Sequence, residues 1–172
     1  MTAQYLADTS ALSRLHLPAV REVLEPVILD GRVATCGVVE LEILYSARSH
    51  SDAVRIRRHR DAAFERVAVE ERDFRRAEEV LLALALKGQH RIAGLPDLLI
   101  AACAERAGLV LLHYDADFDA ICTVTGQPGQ WVVPRGSVTC RPPCEGGPRG
   151  ERAGGAPAGA GYPRRRPCPE LA

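Results

Sequence analysis

Asp8, Glu42, Asp97 and Asp115 are scattered through the sequence, yet each stands in or beside an apolar run that a folded chain must bury. Asp8 directly follows "QYLA" (4–7), Asp97 lies at the start of "LPDLLIAACAERA" (95–107), and Asp115 and Asp117 follow "LVLLHY" (109–114). Carboxylates gathered within a few ångströms cannot all stay ionised without a compensating cation. Donors that are all oxygen suit a hard ion, Mg²⁺ or Mn²⁺, rather than zinc. Such an ion polarises a phosphate and activates water for in-line attack. The chemistry open to this set is metal-assisted hydrolysis.

Convergence of these acids requires a particular architecture. Apolar runs of strand length alternate with longer helical patterns, which predicts an α/β fold: a mainly parallel central sheet flanked by helices. In such sheets ligands gather at the carboxyl ends of the strands. Asp8 follows the strand at 4–7, and Asp115 and Asp117 follow the strand at 109–114, so all three fall on that rim. A helix that feeds a parallel strand must begin at the same rim, which adds Asp97. Glu42 needs the helical wheel. At about 100° per residue it falls with Val38, Val39 and Tyr45 in an apolar stripe, while Glu40 is expected on the solvent face. Each acid also has a plain structural role. Asp8 and Asp97 suit helix caps, Asp117 and Asp119 suit a helix surface, and Glu42 suits an ion pair with an arginine such as Arg14. Those roles do not explain why the acids share one rim.

The remaining pattern frames a single body. Further strands are expected at 31–35 and 130–133, and helices at 36–49, 52–67 and 70–88, the last closed by Gly88. Pro26 should interrupt the helix that starts at Pro18, and Pro96 fits the first helical position. The chain of 172 residues is 47% hydrophobic, enough for one domain with a core. Residues 1–134 carry 15 Lys/Arg and 19 Asp/Glu, a net of −4, and 135–172 carry 7 and 3, a net of +4. We expect a domain over 1–135. Residues 136–172, with 8 Gly and 7 Pro and no hydrophobic period, are expected to be a disordered tail. No apolar run is long enough to span a membrane and no signal peptide pattern opens the chain, so a cytoplasmic protein is the expectation. Cys36, Cys103 and Cys122 sit among apolar residues as small hydrophobes. Cys140, Cys144 and Cys168 lack the neighbours of a zinc site.

With these residues in place, the sequence resembles the PIN-domain ribonucleases, specifically the VapC toxins of type II toxin–antitoxin systems. The resemblance covers about residues 4–134 and rests on "YLADTSAL", "VVELEILYSAR", "LPDLLIAACAERAGLVLLHYDADFDAI" and "WVVP" in that order. It implies a PIN-like fold and cleavage of RNA that depends on Mg²⁺ or Mn²⁺. By position, the family's four acids fall on Asp8, Glu42, Asp97 and Asp115. Asp8 and Asp97 are then the direct metal ligands, with Glu42 and Asp115 acting through water and Asp117 assisting. Thr9 and Ser10 match the family's hydroxyl residues after the first acid, which position a ligand by hydrogen bonding. The resemblance also implies a homodimer and a cognate VapB-type antitoxin whose C-terminal segment occupies the groove.

An acidic site must still attract a polyanion. The run "RIRRHR" (55–60), with Arg72, Arg75 and Arg76, offers phosphate contacts or else a solvated helix face. The competing reading is a non-catalytic PIN-like module that binds RNA or antitoxin, against which the complete acidic set argues. A phosphoacceptor domain would need a lysine near the rim, and the only one, Lys87, follows a helix.

Overall fold

The computed structural model describes residues 3–138. The tail expected from 136 onward, with Cys140, Cys144 and Cys168, falls outside the described residues from 139 on. The chain begins with β1 (Tyr5–Ala7), α1 (Thr9–Leu12), α2 (Pro18–Leu29) and β2 (Val33–Cys36). Next come α3 (Gly37–Tyr45), α4 (His50–Ala63), β3 (Glu65–Val67) and α5 (Glu71–Leu86). It closes with α6 (Leu95–Ala107), β4 (Val110–His113), α7 (Asp117–Thr125) and β5 (Gly129–Trp131). The strands form one five-stranded sheet in the order β3-β2-β1-β4-β5. Every pairing is parallel. Among the described residues no helix is long and apolar enough to cross a membrane.

β1 lies at the centre because it is apolar, and its Leu6 and Ala7 are wholly buried between two neighbours. All four residues of β2 are buried, as a strand covered on both faces must be. The apolar run at 95–107 forms α6 and is buried along most of its length, from Asp97 and Leu98 through Ile100 to Ala104. Its small residues Ala101, Ala102, Cys103 and Ala104 let neighbouring elements approach closely. Leu98 and Ile100 each contribute roughly 1.5–3 kcal/mol of apolar burial. Gly108, at φ 66°, ends α6 in the left-handed conformation and turns the chain into β4. α5 packs against α6 with its start beside the end of α6. There Arg106 Nε donates to Asp73 Oδ1 at 2.6 Å, and Arg76 makes two 2.8 Å bonds to Glu105.

Three local expectations change. β3 takes the place of the end of the helix expected over 52–67. Only Val67 of its three residues is buried, so an edge strand this short leaves no alternating pattern to find. Pro26 does not interrupt α2, which continues to Leu29. The carbonyl that loses its partner there is that of Glu22, which like Pro26 is exposed. Pro96, expected at the first helical position of α6, stands second, after Leu95.

The α3 wheel also turns out rotated. Glu40, expected in solvent, is 3% exposed, while Tyr45, expected in the apolar stripe, is 90% exposed. Val39, Glu40 and Ile43 form the buried face. Glu40 accepts two 2.7 Å bonds from Arg60 of α4 and one of 2.6 Å from Thr35 of β2. Burial pushes the Glu40 carboxyl up, but hydrogen bonds from Arg60 and Thr35 and the charges of Arg60 and Arg66 outweigh it, leaving it below the ordinary range. One ion pair thus fastens two helices and a strand. Arg60→Ala, which strands a buried charge, is expected to cost about 3 kcal/mol in urea unfolding. Arg57→Ala, which breaks only the exposed pair with Asp61, should cost under ~0.5 kcal/mol. Equal costs would show that the buried tie contributes nothing special.

Candidate active site

The carboxyl ends of β1 and β4 lie side by side, because Leu6 pairs with Leu111 and Ala7 with Leu112. Asp8 leaves β1 there, and its N–H donates to Leu112 O at 2.9 Å. The residue is 3% exposed. It is the N-cap of the four-residue α1, and its Oδ2 accepts from Ser10 N at 2.7 Å. A helix this short serves to turn the chain and to hold two hydroxyls near the rim. Thr9 Oγ1 donates to Glu42 Oε2 at 2.7 Å, joining α1 to α3. Ser10 Oγ accepts from Tyr114 N at 2.9 Å, joining α1 to the end of β4. Both hydroxyls therefore position elements around Asp8.

Desolvation by burial raises the Asp8 carboxyl to about 6, with hydrogen bonds from Ser10 lowering it and the Glu42 charge adding to the rise. Glu42, half-buried, is close enough to repel Asp8 and is oriented by Thr9. It stands on the flank of α3, half-buried, and not within the buried face where the wheel expected it.

Asp97 lies in the first turn of α6, buried, with Oδ2 accepting from Gly94 N at 2.9 Å. A Cβ on Gly94 would sit 3.0 Å from that oxygen, so the carboxylate approaches the backbone where a side chain would crowd it. Because α6 feeds β4, its first turn lies at the rim where β4 ends. Asp115 follows β4, and its Oδ1 accepts from Asp117 N at 3.2 Å, at the start of α7. Asp119 is exposed and accepts from Trp131 Nε1 at 2.9 Å, away from this set.

The acids line a rim without closing on one point: among the described residues no three His, Cys, Asp or Glu side chains are gathered tightly enough to hold one ion. Asp8 and Glu42 are linked through Thr9, and Asp115 to Asp117 through its backbone. Asp97 shares the rim through the direction of α6.

One residue beside the site escaped the sequence. His113, which ends β4, is buried, and its Nδ1 donates to Asp115 O at 2.8 Å. Its ring packs 5.2 Å from Phe118 and 5.1 Å from Trp131, and desolvation lowers its pKa. A histidine closing an apolar strand two residues before an acid is the signal that could have found it. Arg14 makes no ion pair with Glu42 among the described residues, and its Nη1 donates instead to Ser10 O at 2.5 Å. The arginines expected on phosphates are largely committed elsewhere. Arg55 pairs with Asp52, Arg60 with Glu40, Arg72 with Glu70 and Arg76 with Glu105.

Comparison with known proteins rests on both sequence and fold. The PIN domain family model matches residues 5–124. Ribonuclease VapC21 of Mycobacterium tuberculosis is 46% identical over 138 residues, covering 80% of this chain and 100% of the relative. The chain belongs to the VapC branch of the PIN-domain family. Ribonuclease VapC51 of the same organism is also 46% identical, over 80% of this chain and 99% of its own. The DNA-bound VapBC structure from Salmonella typhimurium shares the fold, with a TM-score of 0.62 at 17% identity over 76% of this chain and 99% of that one. The VapC fold therefore accounts for the parallel sheet and the helices around its rim.

The raised Asp8 carboxyl gives a pH test. In the folded chain Asp8 holds its proton up to about 6, against 3.8 ordinarily. The folded state thus binds more protons than the unfolded state between these values, and stability falls as pH rises through the window. Asp8→Asn keeps an N-cap side chain and removes the cost of ionisation. In chelator it is expected to be more stable than wild type by about 2 kcal/mol at pH 7.5, the gap closing near pH 4. A gap that is the same at both pH values would rule out the buried-charge account.

Proposed function

We propose that the chain is the toxin of a type II toxin–antitoxin pair, an endoribonuclease that cuts RNA with water activated by Mg²⁺ or Mn²⁺ at this rim. The observation that carries the reading is Asp8: a buried carboxylate, raised to about 6, that lies within repelling distance of a second carboxylate. A cap alone does not call for Glu42 beside it. Relatives named ribonucleases at 46% identity over their full length support the same activity.

The donor set fits a hard divalent ion, because it is all oxygen and sets two carboxylates against each other at Asp8 and Glu42. Asp8 and Asp97 would hold it directly, and Glu42 and Asp115 through water, with Asp117 assisting. Bound there, the ion supplies the charge that polarises a phosphate and lowers the pKa of an attacking water. The chain's own residues do the positioning. The Ser10 N–H fixes one Asp8 oxygen, Thr9 turns Glu42 toward Asp8, and the Gly94 N–H fixes one oxygen of Asp97. Without a bound ion Asp8 takes up a proton below about pH 6, so proton and metal compete for it.

The partners in this reading are RNA, a cognate VapB-type antitoxin and a second copy of the chain, in the cytoplasm. Exposed apolar residues on α3 and α5, Leu41, Tyr45, Leu82 and Leu86, support protein partners. A module that only binds RNA or antitoxin is disfavoured, since binding gives no reason to bury Asp8 against Glu42.

Cleavage of a structured RNA is expected to vanish in chelator and return with Mg²⁺ or Mn²⁺; full activity in excess chelator would sink the mechanism. Asp97→Asn keeps an acceptor for the Gly94 N–H but removes a charge. Its metal-free melting temperature should equal or slightly exceed wild type, while stabilisation by Mg²⁺ is lost and cleavage drops about 100-fold or more. Glu78→Gln, on the exposed face of α5, should behave as wild type. An Asp97→Asn protein cutting at the wild-type rate removes Asp97 from the site.

A further inference from the structure

A rim of carboxylates repels the backbone of its own substrate, so a cation must be held nearby without being neutralised by them. Most arginines of the helical shell are paired with acids, but Arg14 and Arg135 pair with rings. The Arg14 guanidinium lies 4.6 Å from the centroid of Tyr114. Its Nη1 donates to Ser10 O at 2.5 Å, and its Nε has no acceptor among the described residues. Tyr114 meets Trp131 edge-on, with centroids 5.3 Å apart at 79°. Beyond it the Arg135 guanidinium lies 5.7 Å from the Trp131 ring. The result is a row of cation, ring, ring and cation.

The row is built firmly and in a telling place. Ser10 joins it to the first acid, since its N–H bonds Asp8 and its Oγ accepts from Tyr114 N. Tyr114 directly precedes Asp115. Its hydroxyl donates to Val138 O at 3.1 Å, and Trp131 Nε1 donates to Asp119. Arg135 is exposed, and Arg14, Tyr114 and Trp131 are half-buried. Guanidinium groups held over rings keep their full charge and their planar donors.

We propose that Arg14 and Arg135, braced on Tyr114 and Trp131, grip backbone phosphates of a single-stranded RNA segment laid across the carboxylate rim. The inference rests on the ribonuclease reading. Cations at the two ends of one ring pair track a single backbone, and half-exposed rings between them suit unpaired bases, which stack on aromatic side chains whatever their sequence. The two arginines are positioning residues: they set affinity and register, and the acids set the rate of the chemical step.

The test uses the full chain and a short labelled single-stranded RNA, with binding read by fluorescence anisotropy without divalent ions and cleavage read in Mg²⁺. Arg14→Gln and Arg135→Gln are each expected to raise Kd and KM about fivefold or more with kcat within twofold. Each lost phosphate contact should lower the slope of log Kd against log salt by about 0.7, and the double variant by about 1.4. Arg14→Lys, which keeps the charge, should keep the slope and so answers any folding defect in Arg14→Gln. Arg32→Gln is the matched control: Arg32 also sits over a tyrosine ring, Tyr5 at 5.6 Å, but precedes β2 at the opposite end of the sheet, and its loss should change neither quantity. Unchanged Kd and slope in the double variant would overturn the proposal. So would intact RNA binding with lost binding of a VapB-type antitoxin, which would make the row a protein contact. A wild-type chain that binds RNA through both arginines yet in Mg²⁺ or Mn²⁺ cuts neither this RNA nor a structured one would defeat the ribonuclease reading and leave the row standing.

Discussion

Parallel pairing of β1 between β2 and β4 is the constraint on which the rest of the molecule depends. Three residues of strand suffice, because both edges of β1 are occupied and both its neighbours are buried. With every strand pointing the same way, each strand's carboxyl end opens onto one rim and each helix that feeds a strand starts there. Asp8, Asp115 and Asp97 fall on the same rim for that reason and not because of any attraction among them. Asp8 and Glu42 repel. The Ser10 N–H and the Thr9 hydroxyl hold that pair in place, and the Gly94 N–H fixes Asp97.

The chain buries carboxylates in two opposite ways. Glu40 and Asp8 are equally hidden, at 3% exposure. Glu40 receives a bidentate arginine and a threonine hydroxyl, which overcome desolvation and keep it ionised. Asp8 receives backbone N–H groups and a second carboxylate, so desolvation wins and its proton is held more tightly. The first arrangement is self-sufficient and fastens elements together. The second leaves the carboxyl without a compensating positive charge, which is what the cation site proposed above would use.

Much of this is legible in the sequence for a simple reason: parallel strands and the direction of the helices that feed them follow from alternation, and alternation survives in the pattern of apolar runs, although the strand order does not. The burial of α6, the placement of Asp8 after β1 and the rim itself can all be read that way. Glu40 is misjudged because its partner Arg60 lies 20 residues on, across a turn whose geometry no periodicity encodes. Leu41 and Tyr45 mislead the wheel in the opposite sense, being apolar yet exposed. β3 leaves no trace, since an edge strand with one buried residue has no period to detect. The pairing of Arg14 with Tyr114, about a hundred residues away, depends on β1 and β4 meeting and on the small α1 after them.

That last distance bears on how the molecule is made. The N–H of Asp8 closes on the carbonyl of Leu112, and Ser10 closes on Tyr114, so the first acid finds its place only after nearly the whole domain exists. Contacts of such long sequence separation form late in folding. During synthesis the N-terminal acid leaves the ribosome long before β4 does, and through that interval it and Ser10 lack the contacts with Leu112 and Tyr114 that place them. The rim is assembled only once the last strands have emerged, so the growing chain does not yet present the arrangement of acids that the finished domain carries.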